Sequence, residues 1–201
     1  MIKRNSKISN RAIQLIKTNQ PHYSKFGGTP GLPENIPWPS DTKGRELNFL
    51  TQIHCPELPA TSGLPKNGTL FVFYDTGSLT DYSNPLEVIY TTDPLPAHNR
   101  TPAAENGIKP ITYRETFLTF KMLQTAKTPA APHHQLLGKS YDIQRNTRPA
   151  GYTLLLQLDS DTSEDGPRWM WHDAGLLYFW IKPEDLAAKR FDRIKLTRDY
   201  C

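Results

Sequence analysis

The chain has 201 residues, a formal net charge of +4, 37% hydrophobic residues and an aromatic set of 4 Trp, 9 Tyr and 8 Phe, enough apolar material for one domain with a substantial core. Its two cysteines, Cys55 and Cys201, lack metal-ligand spacing and are too few for a disulfide framework, which fits a reducing cytosol. Residues 1–25 hold six Lys/Arg and no acid, residues 182–201 hold six against four, and the body between holds 12 basic and 16 acidic residues, so the basic balance belongs to the ends and not to the aromatic-laced body patch of a nucleic-acid reader.

Residues 1–20 are polar and basic with no apolar leader core, and no stretch reaches membrane-spanning length, so a cytoplasmic protein with no membrane or nucleic-acid partner is expected. Residues 9–18 read as a first helix, with Ile8, Ala12, Ile13 and Ile16 on one stripe and Pro21 as its stop. The loop that follows, Ser24-Lys-Phe-Gly-Gly28-Thr-Pro30, leads to Ile36-Pro37-Trp38-Pro39. Gly27 and Gly28 permit unusual backbone angles while the prolines fix the path, so this reads as a rigid loop that buries Trp38. Its spacing matches no phosphate-binding template.

Leu47 to Ile53 and Thr69 to Tyr74 are buried strands, the second opened by the turn pair Asn67-Gly68. Residues 86–92 and 112–121 are further strands, separated by a Pro-rich exposed loop over 93–110, and 122–135 is again loop, ending in His133-His134, read as solvated. Leu136 to Gln144 is a compact connection. The densest stretch spans residues 152–185: a buried strand from Tyr152 to Leu158, an acidic loop, a second buried strand from Gly175 to Ile181, and a helix from Glu184 to Phe191 with Pro183 in its first turn. The tail adds a last strand around Ile194 and Leu196.

Two of these units repeat. Gln52 and Gly68 lie 16 residues apart and Gln157 and Gly175 lie 18 apart; each pair frames a strand, a polar loop and a second strand. Each embedded Gln is expected to bond to neighbouring backbone, since an unpaired buried amide costs about 1–3 kcal/mol. The expected architecture is α+β: a single β-rich domain of mainly antiparallel strands over 1–201, with two related strand–loop–strand halves, an N-terminal helix and a helix near the C-terminus.

The candidate chemistry gathers at Asp159, Asp161, Glu164, Asp165, His172 and Asp173, beside Trp169 and Trp171. Asp159 and Asp161 point to one side of a strand end, where they can share a metal or cap backbone amides. A calcium loop counted from Asp159 fails, because its sixth position is Glu164 and its twelfth Met170 where Gly and Glu are needed. No nucleophile elbow occurs, and His54 and Cys55 would point to opposite faces of a strand. No catalytic set, metal site or cofactor is therefore expected.

Several motifs together resemble the YwqG family, a bacterial domain of uncharacterised biochemical function. They are Ser24-Lys-Phe-Gly-Gly-Thr-Pro30, Trp38-Pro39, Phe49-Leu-Thr-Gln-Ile53, Gly68-Thr-Leu-Phe-Val-Phe-Tyr74, Leu136-Leu-Gly138, Ile143-Gln144, Leu156-Gln-Leu-Asp-Ser-Asp161, Trp171-His-Asp173, Gly175, Tyr178-Phe-Trp-Ile181 and Asp185-Leu186. The family's Trp-Gly-Asp reads Trp171-His172-Asp173 here. The resemblance implies a single α+β domain and a genomic habit of lying beside secreted polymorphic toxins, some members looking like their immunity proteins. The expected function is thus a cytosolic immunity protein that binds and occludes a cognate toxin as a heterodimer, with the acidic body meeting a cationic surface and Trp169 and Trp171 serving as anchors. The alternatives are a metal-assisted hydrolase using the acidic loop and a housekeeping scaffold.

Overall fold

The computed structural model describes residues 12–75, 85–103, 110–123, 131–144, 148–163, 166–171 and 173–199. They contain twelve strands, one five-residue α-helix and two 3-10 turns. The described strands pair almost entirely antiparallel, so the described chain is an antiparallel β protein and not the expected α+β fold.

Both expected helices are corrected. Residues 12–18 form strand β1, Ala12–Thr18, and the rest of the expected N-terminal helix lies outside the described residues. The same segment also carries the alternation of a strand. Ile13 and Leu15 go inside together while Gln14 and Ile16 are half-buried, and β-branched Ile and Thr suit a pleated surface. A ten-residue helix is marginal by itself, whereas β1 gains a partner ladder, Ala12 opposite Leu137 and Gln14 opposite Gln135. At the other end, helix α1 spans only Pro183–Ala187. Lys189 adopts φ 56°; its N–H bonds to Leu186 O at 3.1 Å and that of Arg190 to Asp185 O at 2.8 Å, the paired bonds that close a helix on a left-handed residue. A 3-10 turn follows at Phe191–Arg193, and the expected tail strand forms at Lys195–Asp199.

The chain divides into two compact units. The central unit consists of Lys17–Glu57 and Pro65–Thr119, and the terminal unit of the described residues within 1–16, 58–64 and 120–201. The central unit holds β2 (Lys25–Phe26), β3 (Asn48–His54), β4 (Thr69–Tyr74), β5 (Leu86–Thr91) and the start of β6 (Thr116–Leu123). In the sheet these run β6-β2-β3-β4-β5. Leu32, Leu47, Phe49, Phe71 and Phe73 form its core, with Trp38 packed against them; the Trp38 ring meets Phe73 edge-on at 5.2 Å and its indole N–H bonds to Leu47 O at 3.0 Å. The terminal unit holds most of β1, with β7 (Gln135–Leu137), β8 (Thr153–Asp159), β11 (Leu176–Ile181) and β12 (Lys195–Asp199) in the order β1-β7-β8-β11-β12. Its core cluster is Tyr152, Leu154, Leu176, Tyr178 and Trp180. Inside the stretch read as an acidic loop, β9 (Asp161–Ser163) and β10 (Gly166–Trp169) form a separate two-stranded hairpin.

The strand ladders of the two units match around the embedded glutamines. Lys25 lies opposite Gln52 as Gln135 lies opposite Gln157, and Gln52 lies opposite Phe71 as Gln157 lies opposite Tyr178. Both ladders slip by one residue at the same place, around Leu50 in β3 and Leu155 in β8. After β2 the chain turns through Gly27 and Gly28 at φ 56° and 66°, and at the end of β7 through Leu137 and Gly138 at φ 57° and 79°. A Cβ on Gly28 would stand 2.5 Å from Glu115 Oε2, and one on Gly138 would stand 2.5 Å from the Ala12 Cβ, so side-chain crowding and backbone angle both hold these positions to glycine.

Candidate functional site

The acidic loop is a structural knot. Asp159 ends β8; its carboxylate accepts the His133 N–H at 2.7 Å and its own N–H donates to His134 Nδ1 at 3.0 Å. Its carbonyl accepts both indole N–H groups, from Trp169 at 2.8 Å and Trp171 at 3.0 Å. The Ser160 hydroxyl accepts the Trp171 N–H and donates to Gly175 O. Because His134 accepts at Nδ1, its proton in the neutral ring sits on Nε2, which faces the buried Asp161 carboxylate at 3.7 Å. His134 is only 1% exposed, a correction to its reading as a solvated loop residue.

The structure thus brings Asp159, Asp161, Trp169 and Trp171 together, as the sequence pattern proposed, but around His133 and His134. Trp169 and Trp171 are buried, with exposed Met170 between them, and Asp173 is exposed and apart from this bonding. Glu164, Asp165 and His172 lie outside the described residues. Among the described residues no group of three or more His, Cys, Asp or Glu is arranged to hold a metal ion. Gly175 serves the knot through its carbonyl, which also accepts the Ser160 N–H at 3.1 Å. Gly68 serves the central unit through its carbonyl, which accepts the Cys55 N–H at 2.9 Å, and the Pro30 carbonyl accepts the Arg100 N–H at 2.8 Å.

A second arrangement is built on the two embedded glutamines, whose bonds to backbone were expected but whose tyrosine partners were not. In the central unit Gln52 donates Nε2–H to Tyr23 O at 2.7 Å and accepts the Gly31 N–H at 2.8 Å. In the terminal unit Gln157 donates to His133 O at 2.6 Å and accepts the Tyr141 N–H at 2.9 Å. Each amide therefore clamps the two ends of the segment that carries the β2 or β7 turn. On each clamp stands an exposed tyrosine: Tyr23 at 61% and Tyr141 at 37% exposure.

Both tyrosines are held at the backbone and at the ring. Tyr23 donates its N–H to Glu57 Oε1 at 2.9 Å, gives its carbonyl to Gln52, and lays its ring against His54 at 5.0 Å. Tyr141 donates its N–H to Gln157, accepts the Tyr178 hydroxyl at its carbonyl at 2.8 Å, and stacks on His133 at 3.8 Å. The electrostatics reinforce this. Burial works to raise the Glu57 carboxyl, but bonds from the Ser24 hydroxyl, from the Tyr23 and Ser24 N–H groups and from His22 outweigh it and hold the carboxyl below its usual range. Burial, then the carboxylates of Asp199 and Asp142, pushes the Tyr178 phenol far above its usual value, so it remains a donor to Tyr141 at any working pH. Burial lowers His54, partly opposed by Glu57, leaving a neutral ring under Tyr23 near pH 7.

Tyr23 was hidden because it stands one residue before Ser24-Lys-Phe-Gly-Gly28. Tyr141 would have emerged had Lys25-Phe-Gly-Gly28 been aligned with Gln135-Leu-Leu-Gly138, since Gly31 then falls on Tyr141.

The chain belongs to a family defined as a domain of unknown function (DUF1963), whose model matches residues 24–200. No curated protein matches it.

Proposed function

We propose that the chain is a protein-binding module acting as an immunity protein: it captures a cognate secreted toxin domain in the cytoplasm and neutralises it by occlusion. The observation that carries this reading is the pair of exposed tyrosines whose main-chain groups are each fixed by buried side chains. A pre-ordered aromatic gives contact area with little loss of freedom on binding, and tyrosine is among the residues that dominate interface energy. The YwqG-like motif set supports the toxin connection, and no helix among the described residues is long and apolar enough to cross a membrane. The metal-assisted hydrolase draws less support, because Asp159 and Asp161 are committed to His133, His134 and the tryptophan cover.

The test is co-expression with the protein encoded immediately upstream, followed by co-purification and rescue of cells from that protein's toxic C-terminal domain. A stoichiometric complex with rescue supports the reading; neither complex nor rescue sinks it.

A further inference from the structure

In the terminal unit three cations surround Tyr152, a buried residue of the core cluster. Lys182 Nζ lies 5.8 Å and Lys195 Nζ 5.0 Å from the Tyr152 ring centroid, and Arg148 donates Nε–H to the Tyr152 carbonyl at 2.6 Å. The three come from three places in the chain, before β8, after β11 and at the start of β12. β12 is the outermost strand of this unit's order, and all three residues are exposed. The nearby buried carboxylate, Asp185, is taken by Arg190 at 2.7 Å and Arg193 at 4.0 Å. No ion pair among the described residues joins Arg148, Lys182 or Lys195 to an acid. Exposed Glu184 and Asp192 are the other acids on α1 and the following turn, beside exposed Lys189.

We propose that this surface docks an acidic face of a protein partner, with Arg148, Lys182 and Lys195 as its contacts. The inference rests on the protein-binding reading above and gives the partner a chemistry. The ammonium groups are drawn onto one ring and the guanidinium is tied to the carbonyl of the same residue, so the cations are partly ordered before a partner arrives. Tyr152 lies beneath them, so no aromatic face is offered for base stacking, which favours carboxylates over single-stranded nucleic acid. The sign is opposite to that expected of the acidic body.

The test uses the full chain and a labelled oligoglutamate, with duplex DNA of equal charge as the comparison, read by fluorescence anisotropy at low and moderate salt. Saturable, salt-weakened oligoglutamate binding is expected, reduced about 3-fold to 10-fold in Lys182→Gln/Lys195→Gln, as two exposed pairs predict. Lys66→Gln/Lys121→Gln, the same charge change elsewhere, should leave it unchanged. Arg148→Gln should weaken it too, and melting curves of all variants confirm folding. No binding, equal loss in both double variants, or tighter binding of the duplex overturns the proposal. Since the probe replaces the partner, this failure is separate from a failure to find a toxin complex.

Discussion

Replacing Gln157 by leucine keeps nearly the same volume while deleting one donor and one acceptor. The site is fully buried, so the Tyr141 N–H at 2.9 Å and the His133 carbonyl at 2.6 Å lose partners that no neighbouring strand supplies. Each buried polar group left unpaired costs about 1–3 kcal/mol. Tyr141 is partly exposed, which puts its share at the low end, and the added apolar burial returns roughly 1 kcal/mol. The expected net loss is about 1–3 kcal/mol, or roughly 2–12 °C in melting temperature for a chain of this size. Urea unfolding followed by tryptophan fluorescence reports it, because Trp169, Trp171 and Trp180 all lie in the terminal unit. Amide exchange at Tyr141 gives the local readout. A loss under about 0.5 kcal/mol with the Tyr141 amide still protected would refute the clamp. Gln52→Leu strips the equivalent pair, Tyr23 O and the Gly31 N–H, and should cost a comparable amount.

Three further outcomes are expected. Glu57→Gln should destabilise at neutral pH and matter little in acid: a carboxyl held below its ordinary value of 4.5 contributes fully above that value and loses its contribution as pH falls through the folded one. The stability difference between the two forms should therefore shrink as pH falls below 4.5 and vanish below the folded carboxyl's lowered value; a constant gap contradicts the network around Tyr23. Gly138→Ala should cost about 2–4 kcal/mol from the left-handed backbone and the collision with Ala12. Adding Ala12→Gly should recover the collision part alone, giving a measurable coupling in a double-mutant cycle; simple additivity would count against the close approach. Trp171→Phe should lose about 1 kcal/mol with the indole bond to Asp159 O, seen by thermal melting, and no change at all would mean that the bond adds nothing.

The strands β3, β4, β8 and β11 were legible because each is an apolar run bounded by turn residues, and the repeat was legible because Gln and Gly recur at matched positions. What sequence missed depends on distant partners. Ile13 and Ile16 suit a helical stripe while Ile13 and Leu15 suit a strand face, and β7, more than a hundred residues on, decides for the strand. The early end of α1 lies at Lys189, which takes the left-handed conformation without the glycine that usually announces it. The acids at 159 and 161 were visible, but not the two indoles closing over the Asp159 carbonyl or the burial of His134. Tyr23 and Tyr141 look like ordinary loop aromatics until the glutamine clamps fix them in place.

The most direct test of the proposed function is calorimetric titration of the C-terminal domain of the protein encoded immediately upstream, as the proposed partner, against the wild-type chain, Tyr23→Ala and Tyr141→Ala. At least one substitution should weaken binding by about 2 kcal/mol or more, roughly 30-fold, with the melting temperature moved by no more than about 2–4 °C. Wild-type affinity in both variants would contradict the claim that these clamped tyrosines are what the protein uses to hold its partner.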